Sequence, residues 1–226
     1  IRANDGKPLF VIYRPDLIDC LNEMLDCWQE LAVRNGLPGL SFAHQQIHLD
    51  LNKNKDDSRF DYDIEYQPAY AVYDTTANRM KFLRSIKRKM AVFLGNVGIN
   101  IEQKRPEGLI IRDYDQVWNA VLARNPADDK CVPGAFVDWD NTPRRGNKGS
   151  VFAGADPMKF KDYFKQQILR AKQVYHKDML FLFAWNEWAE GGYLEPDQKF
   201  GDGYLRAIRE ALEETGEFPQ WDGLDS

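Results

Sequence analysis

The chain has 226 residues, 43% apolar, 13% aromatic and 29% charged, which is enough to bury roughly 70–75% of its unfolded surface in one core. No run of about 18 uninterrupted apolar residues occurs, so a membrane-spanning helix is excluded. With 35 acidic against 30 basic side chains and a net charge of -5, there is no field to draw in a nucleic-acid backbone, and no nucleic-acid partner is expected.

Residues 1–226 read as a single α/β domain. The opening Ile1-Arg2-Ala3-Asn4-Asp5-Gly6 lacks the basic-then-apolar form of a signal peptide. Pro8 to Tyr13 is a short apolar run between Gly6 and Arg14-Pro15, the pattern of a strand buried on both faces. Ile18, Leu21, Leu25, Trp28 and Leu31 then recur at three and four, predicting an amphipathic helix with Asp16 or Asp19 as N-cap and Gly36 as the stop. Cys20 and Cys27 share that helix about 10 Å apart along its axis, beyond the ~7 Å Cα reach of a disulfide. Cys131 has no obvious partner, so reduced thiols and a cytoplasmic compartment are expected ahead of a periplasmic or secreted one. Leu37 to Ala43 reads as a second strand and completes a βαβ unit.

From His44 to Pro68 the sequence is polar and irregular and is expected to form a long loop able to wall a binding site. Residues 79–94 fit a helix with Arg84, Lys87, Arg88 and Lys89 outward. Asp113 caps a clearer helix over 114–124, followed by a strand from Val132 to Asp138. Asp156 and Pro157 open a helix over about 157–175, Met179 to Trp185 is another buried strand, and Tyr204, Leu205, Ile208 and Leu212 mark a closing helix.

The loop that leaves the last strand places Glu187, Glu190, Glu195, Asp197, Trp185, Trp188 and Tyr193 within thirteen residues, at the strand end where α/β folds carry their ligands. Glu187 and Glu190 are three apart, so in a helical turn their Cβ atoms stand about 5–6 Å apart, the scale of the carboxyl pair of a retaining glycosidase. Trp185, Trp188 and Tyr193 offer faces for a sugar ring, with Asn186 and Glu195 beside them. The plainer alternative makes the glutamates a helix start and the tryptophans core. A second cluster after the strand ending at Asp138 supplies Asp140 and Asn141 for sugar hydroxyls and Arg144 for an anion or a carboxylate; its plainer alternative is a polar turn with a solvated arginine pair.

Other signals are weak. Asp50-x-Asn52-x-Asn54 resembles the start of a calcium loop, but Lys55 stands where Gly is needed. His44, His48 and His176 have no metal-ligand spacing, no G-x-S-x-G elbow occurs, and Arg145 to Ser150 lacks phosphate-loop spacing. Neither a metal nor a cofactor is expected. Asp138-Trp139-Asp140 fits D-x-D by spacing and is read as a turn, which disfavours a nucleotide-sugar donor.

Phe183-Ala184-Trp185-Asn186-Glu187-Trp188-Ala189-Glu190-Gly191, with Leu194-Glu195-Pro196-Asp197 and Tyr204-Leu205 after it, resembles the signature of the WbsX-like family. These are glycosyltransferases of bacterial surface-polysaccharide (lipopolysaccharide) synthesis, related to the endo-α-mannosidases of glycoside hydrolase family 99. Gly6 to Pro15 and Trp139 to Arg144 resemble further blocks in the same order. The resemblance implies a (β/α)8 TIM barrel and a carbohydrate substrate. It implies that Glu187 deprotonates the sugar's 2-hydroxyl and that Glu190 protonates the leaving group and later activates water. A barrel needs eight strands and about 250 residues, and only four strands stand out here. The chain is therefore expected to be the carboxyl-terminal part of an incomplete barrel, completed by a missing segment or another chain. A non-catalytic glycan-binding domain, or an inactive fragment, is the alternative.

Overall fold

The computed structural model describes residues 3, 5–46, 57–72 and 108–219; the helix expected over 79–94 and most of the calcium-like loop lie outside them. In chain order come β1 (Leu9–Ile12), α1 (Leu21–Arg34), β2 (Ser41–Gln46), β3 (Tyr62–Glu65), β4 (Ile110–Asp113), α2 (Tyr114–Leu122), β5 (Cys131–Val132), β6 (Gly134–Phe136), α3 (Thr142–Arg145), β7 (Ser150–Ala153), α4 (Pro157–Gln173), β8 (Phe181–Phe183), β9 (Asn186–Glu187), β10 (Gly192–Tyr193) and α5 (Gly203–Thr215).

The sheet is wound in one direction. Strands β1, β2, β3 and β5 pair in that order, all in parallel. Beyond Pro133, which has no N–H to give to a ladder, the same extended segment continues as β6 and pairs in parallel with β8. Among the described residues, and leaving aside β4 and β7, each strand of this run is added on the same side, so the order does not reverse as it does in a doubly wound sheet. At the crossing from β3 to β6, a Cβ on Gly134 would lie 1.9 Å from the Glu65 carbonyl oxygen, and only glycine permits that approach. β4 and β7 form a separate parallel pair. The architecture is thus mixed α/β with parallel sheets, and the strands do not close into a barrel among the described residues.

Strand alternation divides the sheet into two faces. Phe10 and Ile12 turn toward α1, where Ile12, Leu25, Phe42 and Phe60 form one apolar cluster and Phe10 meets Trp28 at 4.7 Å between ring centroids. On the other face Ala43, Ile64 and Val132 pack with Val11, Tyr62 and Phe181. The largest core joins α2, α4 and α5 to β6 and β8, with Trp118 stacked on Phe136 (4.9 Å) and on Tyr163 (5.5 Å). Such ring pairs contribute about 0.5–1.5 kcal/mol each beyond their buried area.

The sequence features that predicted the helices do their expected work in two cases. Asp113 accepts a hydrogen bond from Gln116 N (2.9 Å), and Asp156 accepts one from Lys159 N (2.9 Å) ahead of Pro157. For α1, neither Asp16 nor Asp19 is the cap: Cys20 occupies that position, and Asp16 is instead held by Arg14. The expected loop from His44 to Pro68 also needs correction, because it contains the end of β2 and all of β3. β3 is polar at alternate positions, and its inward carboxylates are buried in pairs. Asp63 Oδ1 lies 2.7 Å from His44 Nε2, and Glu65 accepts a hydrogen bond from Tyr175 (3.0 Å).

Candidate functional site

The carboxyl ends of the parallel strands open on a cleft of ≈570 Å³, within the about 300–1,000 Å³ usual for small-ligand sites. Its wall is assembled strand by strand: Tyr13 just after β1, Gln45 in β2, Tyr66 just after β3, Phe183 in β8, and Glu187 and Glu190 in the segment that follows. Arg144 closes one side from α3. These residues are far apart in sequence, and it is the common direction of the strands that brings them to one rim.

The two glutamates are held differently. Glu187 ends β9, which pairs antiparallel with β10 through Glu187↔Gly192 and Asn186↔Tyr193. Glu190 ends a 3-10 turn over Trp188–Glu190 that follows Glu187, and Gly191 comes next in the left-handed region at φ 65°. A Cβ there would lie 2.6 Å from Asp140 N, because Asp140 N donates to the Glu190 carbonyl at 2.8 Å. That bond fastens the glutamate segment to the loop after β6. Arg144 Nη2 then donates to Glu190 Oε1.

Tyr66 stands beside both carboxylates. Its ring meets Phe183 edge-on at 5.5 Å and Tyr13 at 6.2 Å. Burial, reinforced by Tyr13, Glu190 and Glu187, pushes its hydroxyl well above the ordinary tyrosine range, so it remains a proton-bearing donor facing the cleft. Asp138, at the end of the β6 segment, is pushed up to about 6, chiefly by burial, with the Asp140 charge adding to it and the Trp139 N–H and Lys199 opposing it.

The remaining sequence candidates divide into two groups. Trp188 and Tyr193 stack at 3.8 Å and 16°, outside the cleft, on a second groove with Pro196, Asp197, Gln198 and Lys199. Glu195 accepts from Trp188 Nε1 (2.6 Å) and so fixes that ring. Trp185 and Asn186 are exposed on the same hairpin. Asp140 and Asn141 are engaged within the protein. Asp140 Oδ1 accepts from Thr142 N (2.9 Å) and Oγ1 (2.6 Å), and buried Asn141 Oδ1 accepts from Ser150 N (2.7 Å).

The family model for glycosyltransferase WbsX matches residues 1–208. The chain belongs to the WbsX family. Two curated relatives, each described as uncharacterized protein WxcX and from two strains of Xanthomonas campestris pv. campestris, are 29% identical to it over 215 residues. The match covers 94% of this chain and 28% of each relative, so the chain spans little more than a quarter of their length. No solved structure matches it. In this WbsX-family chain, Tyr13, Gln45 and Tyr66 line the cleft although nothing in the sequence singled them out as site residues. No local pattern marks those three; Asp138, read in the sequence as part of a turn, does not line the cleft and faces the charges of Asp140 and Lys199 instead.

Proposed function

We propose that this WbsX-family chain acts at glycosidic bonds of an oligosaccharide or polysaccharide, with Glu187 and Glu190 as its acid–base pair. The observation that carries the reading is that both carboxylates line one cleft at the carboxyl ends of the strands, with Arg144 gripping one of them. A carboxylate pair on a common ligand cleft is the minimum apparatus for protonating a leaving oxygen while a second group supports attack at the sugar. Glu190 gives a proton from Oε2 to the departing oxygen while Arg144 holds Oε1. Glu187 takes the proton of the sugar's own hydroxyl, and the hydroxyl oxygen attacks the anomeric carbon. Tyr66 remains a hydrogen-bond donor to the substrate. The unreversed strand order among the described residues supports a (β/α)8-type arrangement. Three free cysteines, Cys20 and Cys27 among them exposed, support a cytoplasmic setting.

A second reading, a glycan-binding domain without chemistry, is favoured by the open sheet: β1 has a neighbour on only one side among the described residues. Mass spectrometry of products formed from a glycan panel in oxygen-18 water separates the readings. Labelled shorter products mean hydrolysis, and unlabelled longer ones mean transfer. Either is expected to fall by about 10²–10⁴-fold in Glu190→Gln. Binding without turnover in both proteins would leave only the second reading.

A further inference from the structure

The hairpin β9–β10 has two sides, and they face different spaces. Glu187 lines the cleft, while Tyr193, paired with Asn186 one residue earlier, belongs to the neighbouring groove. Antiparallel strands alternate side chains between faces, so a single hairpin separates the two. The second groove measures ≈680 Å³, again within the small-ligand range.

Its floor is built and fixed rather than being loose surface. Trp188 and Tyr193 are stacked face to face at 3.8 Å, so the pair forms a plate with the face of Trp188 turned away from Tyr193 open, and each ring carries an anchored polar tip. Trp188 Nε1 donates to Glu195 Oε2 at 2.6 Å, and the Tyr193 hydroxyl donates to Asp197 Oδ2 at 2.9 Å. Asp197 is in turn fixed by Phe200 N and by backbone pairing with Gly201. Trp188 is nonetheless 46% exposed. An exposed apolar ring rimmed by polar side chains in a groove of this size has the composition of a ligand-binding site. Around it, Gln198 and Lys199 offer donors, and Asp197, whose carboxylate oxygens each keep a further lone pair, offers an acceptor. An apolar plate rimmed by both kinds of hydrogen-bonding group matches a pyranose, whose C–H face is apolar and whose edge carries hydroxyls.

We propose that the Trp188–Tyr193 plate is a second sugar subsite outside the catalytic cleft, so that the ligand is an oligosaccharide crossing the β9–β10 hairpin and occupying both grooves. This rests on the glycan reading above and deepens it: the chain engages an extended glycan rather than a single terminal sugar. The plate binds a sugar ring by stacking, with the remaining units leading over the hairpin to Glu187 and Glu190.

The test is calorimetric titration of Glu190→Gln, which holds substrate without turning it over, with size-graded fragments of two to eight sugars. The probes are prepared from yeast α-mannan and from the O-polysaccharide of Xanthomonas campestris pv. campestris. The expected result is an affinity gain of about tenfold or more between short and long fragments, which Trp188→Ala abolishes and Trp188→Phe largely retains, with affinity for the shortest fragments unchanged by either. A tenfold change corresponds to about 1.4 kcal/mol, the size of one good aromatic contact. Equal weakening of short and long fragments by Trp188→Ala, or affinity independent of length, overturns the subsite. If length-dependent binding is found but the parent protein shows no turnover, the subsite stands and the catalytic reading fails. Turnover without length dependence has the opposite meaning, and absence of binding by every fragment overturns both.

Discussion

Arg144 and Glu190 are forty-six residues apart in sequence and joined by a charge-assisted hydrogen bond from Nη2 to Oε1. The two partners are unequally placed: the Arg144 side chain is 57% exposed, whereas that of Glu190 is 14% exposed. The arginine is therefore a solvent-exposed clasp on a sheltered carboxylate. Exposed pairs contribute only about 0.2–1 kcal/mol to stability, but a carboxylate displaced by about 1 Å can cost about 10²-fold in rate.

Arg144→Gln is accordingly expected to lower turnover by about 10–100-fold and stability by less than about 1 kcal/mol. Paired measurements of kcat and of thermal unfolding check this. A loss of Tm with unchanged kcat would make Arg144 a structural brace with no part in the site.

Asp138 supplies a pH prediction. Its ordinary value of 3.8 is pushed up to about 6, first by burial. Between these values the folded chain holds a proton that the unfolded chain has released, so stability is fully present below about pH 4 and falls as pH rises toward 6. A shift of about two units is up to about 3 kcal/mol, and residual solvent contact makes about 1–2 kcal/mol the expectation. Asp138→Asn keeps an oxygen for the Trp139 N–H and removes the buried charge. It is expected to raise Tm by roughly 2–8 °C at pH 7 and to leave it unchanged near pH 4. Scanning calorimetry at both pH values checks the sign; a lower Tm at pH 7 would mean that the carboxylate is stabilised by contacts the fold does not display.

The elements that were legible in the sequence are those whose side chains carry their own signal. α2 and α4 announce themselves through Asp113, Asp156 and Pro157, and β8 does so through an unbroken apolar run. β3 was hidden because its alternation of Tyr62 and Ile64 with Asp63 and Glu65 is only four residues long within a polar stretch, and its acidic positions, which read as solvent-facing, are buried against His44, Tyr175 and Arg124. β4 and β7 escaped because they are four residues long and Ile110 and Ile111 remain exposed. Within the site, Glu187 and Glu190 were legible because both belong to one short segment. Tyr13, Gln45 and Tyr66 were not, because their convergence depends on the register of three strands.

Asn141 shows the same limit from the other side. The sequence marks it as a sugar contact, yet its Oδ1 accepts from Ser150 N at 2.7 Å, and the residue is 4% exposed. Asn141→Ala strands a buried N–H, which costs about 1–3 kcal/mol, so Tm is expected to fall by roughly 2–12 °C. A glycan-affinity loss with unchanged Tm would restore the sugar-contacting role.

Gly191 tests whether the placement of Glu190 depends on the backbone. At φ 65° an alanine is strained by about 1 kcal/mol, and its Cβ would stand 2.6 Å from Asp140 N. The contact is with main chain, not with the end of a flexible side chain, so relief requires the two segments to separate and the Asp140 N to Glu190 O bond (2.8 Å) to lengthen or break. Gly191→Ala is therefore expected to cost about 2–4 kcal/mol in denaturant unfolding and to reduce turnover beyond what the fraction unfolded explains, because Glu190 moves with its carbonyl. Activity per folded molecule equal to that of the parent protein would show that Glu190 reaches its working position independently of this bond.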